Sequence, residues 1–427
     1  MPSKSLGETL LRGAARITAP LAQHDLALRV ARGDEDANRV DERRGKSDLL
    51  RPDGTLIWFH VKDLKGALNL VGIIQKCRDE MPEISYLVTT QDQIQDFVFA
   101  LRMPVEVLHQ YAPFDKPAAV ERFLDHWAPD MCVWVDDVLM PVMNSEVFSR
   151  EIPAILANVS DVDHANPQFR WLPIIGKPVL CSFNQVLVSD ETALMQVKHF
   201  GVEATVMGPL CEEALALPHD EKRRSRLAKQ LDGRPVWLAA KVSSEEIDLI
   251  LEAHRTALRH THRLMLIIVP ADPEETGRIG EGCESIELHF KNSSDLDDLP
   301  PRTDVIIAKG FDGLGLWYQM AAVCFLGGSL AERGGHPPLE AANLGSAIIH
   351  GPHVDNYADI YLRLHDAGAA IEVASVSSLV EAVTELVIPD RAAEMAHAGW
   401  MVSSEGADAT DALVEAIWDH LPMGALL

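Results

Sequence analysis

Short apolar runs rich in β-branched and aromatic residues recur along the chain, separated by segments whose apolar positions repeat with helical spacing. In the first half the predicted strands are Leu56 to Val61, Ser85 to Thr90, Val105 to Gln110, Met131 to Asp136, Ala154 to Val159 and Gln185 to Asp190. In the second half they are Pro235 to Ala240, Leu264 to Pro270, Ser285 to Phe290, Asp304 to Lys309, Val323 to Ser329 and Ala347 to Pro352. Helices are predicted between them, including Leu64 to Glu80 and Ala118 to Trp127. Continuous apolar strands alternating with helices signal parallel sheets covered on both faces. The expected fold class is therefore α/β, with two Rossmann-like doubly wound domains facing a central cleft.

Strand character stops and charge density rises between Gly208 and Ser225. This predicts an amphipathic helical segment over 1–50, a first Rossmann-like domain over 51–207 and a joint over 208–230. A second such domain is expected over 231–400, with a C-terminal helix over 401–427, centred on Ala412 to His420, crossing back to the first. Ligands of open parallel sheets collect at the carboxyl ends of the strands, so this geometry suits an enzyme joining two substrates.

Composition narrows the classes. The 427 residues are 47% hydrophobic and 24% charged, as in a folded multidomain protein, and the net charge of −26 disfavours nucleic acid as a partner. Six cysteines without a C-x-x-C pair read as free thiols in a reducing compartment. With no apolar run of membrane-spanning length and no signal peptide, a cytoplasmic location is expected. At the start, Leu6, Leu10, Ala14, Ile17 and Leu21 share one helical face beside Arg12 and Arg16. That pattern fits either a helix packed on its own domain or peripheral membrane contact through residues 5–21.

The densest chemical signal runs from Val323 to Gly345. A buried strand ends in Gly327-Gly328-Ser329, the pair Gly334-Gly335 and His336 follow, and Pro337-Pro338 opens a helix whose first turn holds Glu340. Glycines allow close backbone approach to a ligand, helix-start N–H groups attract phosphate, and Glu340 is placed to accept from ribose hydroxyls. A tight turn with no ligand is the alternative. Gly310, Gly313 and Gly315 lack the G-x-G-x-x-G order. His336, His350 and His353 match no zinc template, and His254, His260 and His262 read as surface residues of a charged helix. No metal and no cofactor are expected.

The segment GGSLAERGGHPPLEAANLGSAIIHGPHVDNYADI resembles the donor-domain signature of the Kdo (3-deoxy-D-manno-octulosonic acid) transferases. These are GT-B glycosyltransferases of lipopolysaccharide biosynthesis that act on lipid A precursors. WFHVKDLKGALNL from Trp58, YAPFDKPAAVERFLDHWAPDMCVWVDDVLMP from Tyr111, IPAILANVS from Ile152, Gly208-Pro209-Leu210, VWLAA from Val236 and LGLWY from Leu314 fall in family order. The resemblance implies an acceptor-side first domain, a donor-nucleotide second domain, a CMP-type nucleotide sugar and a lipid A precursor as ligands. Donor contacts would fall to Gly327, Gly328, Ser329, Gly335, His336 and Glu340.

The family's reactive positions are mostly changed. Its glutamate base corresponds to Gly66, its next acidic position to Asp136, and a lysine to Cys211. Its Pro-Arg-His-Pro is Pro270-Ala271-Asp272-Pro273, its Ser-Thr-His is Lys241-Val242-Ser243, and its Gly-Glu-Leu is Asp312-Gly313-Leu314. Asp136 and Asp63 are the candidate catalytic carboxylates, Asp63 lying just past a strand end. Two functions stay open: a transferase with a relocated base, or a catalytically silent paralogue that binds a ligand or a partner protein.

Overall fold

The computed structural model describes residues 28–422 apart from 31, 33–34, 95, 105, 137–139, 161–178, 213–216, 218–219, 297–298 and 311–312. The amphipathic stretch 5–21 and Asp312 lie outside the described residues. By contacts the chain separates into one unit of residues 1–213 with 406–427 and another of residues 214–405.

In the first unit the apolar runs become β1 (Leu56–Val61), β2 (Ser85–Thr90), β3 (Leu108–Tyr111), β4 (Met131–Val135), β5 (Ala154–Val159), β6 (Gln185–Val188) and β7 (Thr205–Val206). They form one parallel sheet in the order β3-β2-β1-β4-β5-β6-β7. One face buries Trp58, Leu87, Trp134, Leu156 and Val188 against Val120, Phe123, Leu124 and Trp127 of the helix Pro117–Trp127. That helix starts on Pro117, where no N–H is needed, and stops at Ala128 in the left-handed region. The C-terminal helix Ala407–His420 belongs to this unit, where Trp418 Nε1 donates to Glu80 Oε2 (2.7 Å) and Lys76 pairs with Asp411.

The second unit contains β8 (Val236–Val242), β9 (Met265–Pro270), β10 (Phe290–Asn292), β11 (Val305–Ile307), β12 (Val323–Leu326), β13 (Ala347–His350) and β14 (Ala370–Glu372). Its parallel sheet has the order β10-β11-β9-β8-β12-β13-β14. Alternate strand residues feed two cores: Leu238, Ala240, Ile267, Cys324 and Leu326 face one, Trp237, Ala239, Ile268, Phe325 and Ile349 the other. Burial on both faces explains the uninterrupted apolar runs. Two doubly wound parallel sheets of this kind constitute an α/β fold.

Several predicted boundaries move for local reasons. Glu106 turns the chain at positive φ (75°), so pairing with β2 begins only at Leu108. The run Ser285 to Phe290 is mostly helix end and turn, with Glu287 at φ 62°, and the strand starts at Phe290. Leu64 to Glu80 divides into Leu64–Leu68 and Val71–Glu80, because Leu70 N bonds three residues back to Ala67 O before the helix restarts. His254 is fully buried rather than exposed: Trp237 Nε1 donates to its Nδ1 (3.1 Å), and its Nε2 lies 3.0 Å from Asp304 O.

Candidate active site

In each sheet the strand order reverses beside the first strand, between β1 and β4 and between β8 and β12. Chains leaving neighbouring strands there run to opposite faces and open a crevice at the carboxyl ends. The residues singled out in the sequence gather at these two points, one group in each unit.

In the first unit, β1 ends at Val61 and Asp63 caps the helix Leu64–Leu68, its Oδ1 accepting from Gly66 N (3.0 Å). Ahead of it, β4 ends and Asp136 takes a left-handed conformation, φ 64°. Its Oδ1 accepts from Asn158 Nδ2 (2.7 Å), and Asn158 Oδ1 in turn accepts from Leu210 N (2.9 Å). Asn158 also has positive φ (58°) and sits where the β5–β6 register shifts. Two strained residues locked together by a hydrogen bond are a pattern concentrated at functional sites.

Asp136 Oδ2 points to the remaining space beside Gly66. A Cβ built at Gly66 would lie 3.0 Å from this oxygen, 3.2 Å from Val61 Cβ and 3.7 Å from Asp63 Oδ1. Burial raises the Asp136 carboxyl above the ordinary range; the bond from Asn158 opposes this and the charge of Asp63 adds to it. Asp63, Gly66 and Asp136 therefore form one cluster, in which Asp63 holds the helix start and Asp136 presents a basic oxygen.

In the second unit, Gly327 lies so close to β8 that a Cβ would meet Lys241 O at 2.4 Å, which only glycine permits. Gly328 follows at φ 67°, and its carbonyl accepts from Gly335 N (3.0 Å). Ser329 is fully buried; its hydroxyl donates to Leu326 O and accepts from Gly351 N (2.8 Å). It braces the turn from inside. The His336 ring packs 3.4 Å from a Cβ built on Gly328, and burial, then the nearby Lys241 charge, lower its pKa to about 4. The imidazole is neutral at physiological pH. Glu340, in the first turn of the helix Leu339–Asn343, is ion-paired with Lys241 Nζ (3.0 Å).

The backbone N–H groups of the glycine turn are engaged by the protein itself. Those of Gly328 (2.7 Å), Ser329 (3.0 Å), Leu330 (2.8 Å) and Ala331 (3.2 Å) all donate to Glu246, a carboxylate with no exposed surface. Ser243 donates to it as well, from N and Oγ, both at 2.9 Å. Glu246, Lys241 and Asn158 are the residues that sequence reasoning missed. Ser243-x-x-Glu246 before an apolar run is a capping-box spacing, and it signals Glu246. Among the other candidates, Asp272 caps a short turn through Glu274 N (2.9 Å). His350 Nε2 meets His365 Nε2 (2.9 Å).

Residues 38–211 match the family model described as 3-deoxy-D-manno-octulosonic-acid transferase (kdotransferase). The 3-deoxy-D-manno-octulosonic acid transferase of Rickettsia bellii is 26% identical over 370 residues, covering 86% of this chain and 88% of that one. That of Haemophilus influenzae is 23% identical over 388 residues, covering 88% and 89%. Over most of its length the chain is similar to the Kdo transferases. Among solved structures, the C-terminal CMP-Kdo binding domain of WaaA from Acinetobacter baumannii is 29% identical, with a TM-score of 0.40 over 42% of this chain and 96% of that one. By these similarities the chain is a Kdo-transferase-like glycosyltransferase of lipopolysaccharide biosynthesis.

Proposed function

We propose that the chain transfers Kdo, or a closely related acidic sugar, from a CMP-linked donor to a hydroxyl of a lipid A precursor, with Asp136 as the proton acceptor. One observation carries this reading: Asp136 Oδ2 lies 3.0 Å from the point where a side chain at position 66 would begin. A carboxylate thus reaches the position that the family fills from the helix. Its raised pKa makes it a better base than an exposed aspartate. Asp136 takes the proton of the acceptor hydroxyl as that oxygen bonds to the anomeric carbon; the bond from this carbon to the CMP phosphate oxygen breaks and CMP leaves.

Asp63 acts as a positioning residue, holding the helix Leu64–Leu68 and adding negative charge near Asp136. On the donor side Gly327 lets the turn close against β8, Gly328 and Gly335 shape it at positive φ, Ser329 braces it, and His336 and Glu340 face the ligand. Among the described residues no helix is long and apolar enough to cross a membrane. The apolar stripe and arginines of residues 5–21 support peripheral contact with the cytoplasmic face of the inner membrane.

The test is a transfer assay with purified protein, CMP-Kdo and a lipid A precursor, the product read by mass. Turnover by the wild type, cut about 10²- to 10⁴-fold in Asp136→Asn, supports the proposal. A wild type without turnover above background returns the chain to the silent, ligand-binding alternative.

A further inference from the structure

The donor side presents an electrostatic problem. A sugar nucleotide brings a phosphate, yet the four N–H groups of the turn from Gly328 to Ala331 are spent on Glu246, which adds a buried negative charge behind them. His336 is neutral, and Glu340 is a second carboxylate at the same strand ends. A phosphate entering here meets anionic groups and no unspent donor of that turn, which favours its recognition by a cation.

Lys241 is that cation by position. It lies at the carboxyl end of the central strand β8, in a left-handed conformation (φ 56°) where the β8–β9 register shifts. A side chain in the regular strand would point into one of the two cores. The irregular backbone instead carries the ammonium to Glu340, 3.0 Å away, beside the glycine turn and His336. Lysine at positive φ is uncommon, and such strain persists where the surroundings enforce it. Arg333, on the turn itself, is largely exposed and paired with Glu245.

We infer that Lys241 is the donor-phosphate ligand of this chain, held in readiness by Glu340 and shared with the phosphate when the nucleotide binds. This rests on the CMP-sugar reading above and adds a residue to it: the phosphate is recognised by a side-chain ammonium on β8 rather than by the backbone of the glycine turn.

Calorimetry of the full chain with CMP and with cytidine, which lacks the phosphate, tests it. Lys241→Met is expected to weaken CMP about ten- to hundredfold while leaving cytidine within about twofold, and Lys241→Arg is expected to retain most of the CMP affinity. A circular-dichroism melt of each variant confirms that it is folded. Equal loss of CMP and cytidine, or unchanged CMP binding in Lys241→Met with the loss appearing in Arg333→Ala, overturns the assignment while the donor reading stands. A wild type that binds neither compound overturns both.

Discussion

Asp136 Oδ2 stands 3.0 Å from the position of a Cβ on Gly66, close enough that the two sites share one space. A side chain at 66 requires the Asp136 carboxylate and Val61 to give by a few tenths of an ångström. Gly66→Glu is therefore expected to destabilise the protein by about 1–3 kcal/mol through overpacking against Asp136 and Val61. It is also expected not to raise the transfer rate, because a second carboxylate displaces the first. Denaturant midpoints and initial rates of the purified variant check both parts.

Asp63 separates a cap from a base. Its Oδ1 is already engaged by Gly66 N, so Asp63→Ala is expected to cost about 1 kcal/mol of stability and Asp63→Asn much less. Transfer by Asp63→Asn is expected to stay within tenfold of wild type. Its pH–rate profile should move to lower pH, since the neighbouring negative charge that helps raise the Asp136 pKa is gone. Loss of activity in this variant at all pH values would assign the proton transfer to Asp63 instead.

Glu246 supports the glycine turn through four backbone N–H groups. Glu246→Ala leaves these donors buried without a partner, and a loss of about 3 kcal/mol or more is expected. Hydrogen exchange should speed up at Gly328 to Ala331 before it does in the strands of the same unit. Unchanged exchange at these amides would show that the turn holds itself.

Asp115 gives a pH dependence of stability in the first unit. Burial raises its carboxyl to about 6, although Val142 N (3.1 Å) and Met143 N (2.8 Å) donate to it at the start of the helix Pro141–Ser149. Between an unfolded value near 3.9 and this folded value, the native state holds the extra proton, so the Asp115 contribution to stability falls as pH rises from about 4 to about 6. Asp115→Asn is expected to remove that component. Urea melts of wild type and variant at several pH values in this window measure it.

The strands were legible because burial on both faces writes each as an apolar run, as in Leu56–Val61, Ser85–Thr90 and Ala154–Val159, where sequence and structure agree in bounds. The edge strands Thr205–Val206 and Ala370–Glu372 were not, since two or three residues, some exposed, leave no such run. His254 was misplaced although Ile247, Ile250, Leu251 and His254 follow helical spacing on the buried face; its polarity masked the period. At the site, Asp136 and Glu340 could be found from motif order. Asn158 and Lys241 depend on backbone conformation and on contacts up to 99 residues apart in sequence, such as Lys241 with Glu340, which no local pattern encodes, whereas Glu246 carried a local capping-box spacing.

Asp136 as the base is the central claim, and single-turnover transfer by Asp136→Asn with CMP-Kdo and a lipid A precursor tests it most directly. The amide can still meet Asn158 but cannot take a proton, so the rate is expected to fall about 10²- to 10⁴-fold, with CMP affinity on the second unit unchanged. The wild-type rate should rise with pH through a pKa above the ordinary aspartate range, and that limb should be absent in the variant. An Asp136→Asn protein that transfers at the wild-type rate with the same pH profile would contradict the account.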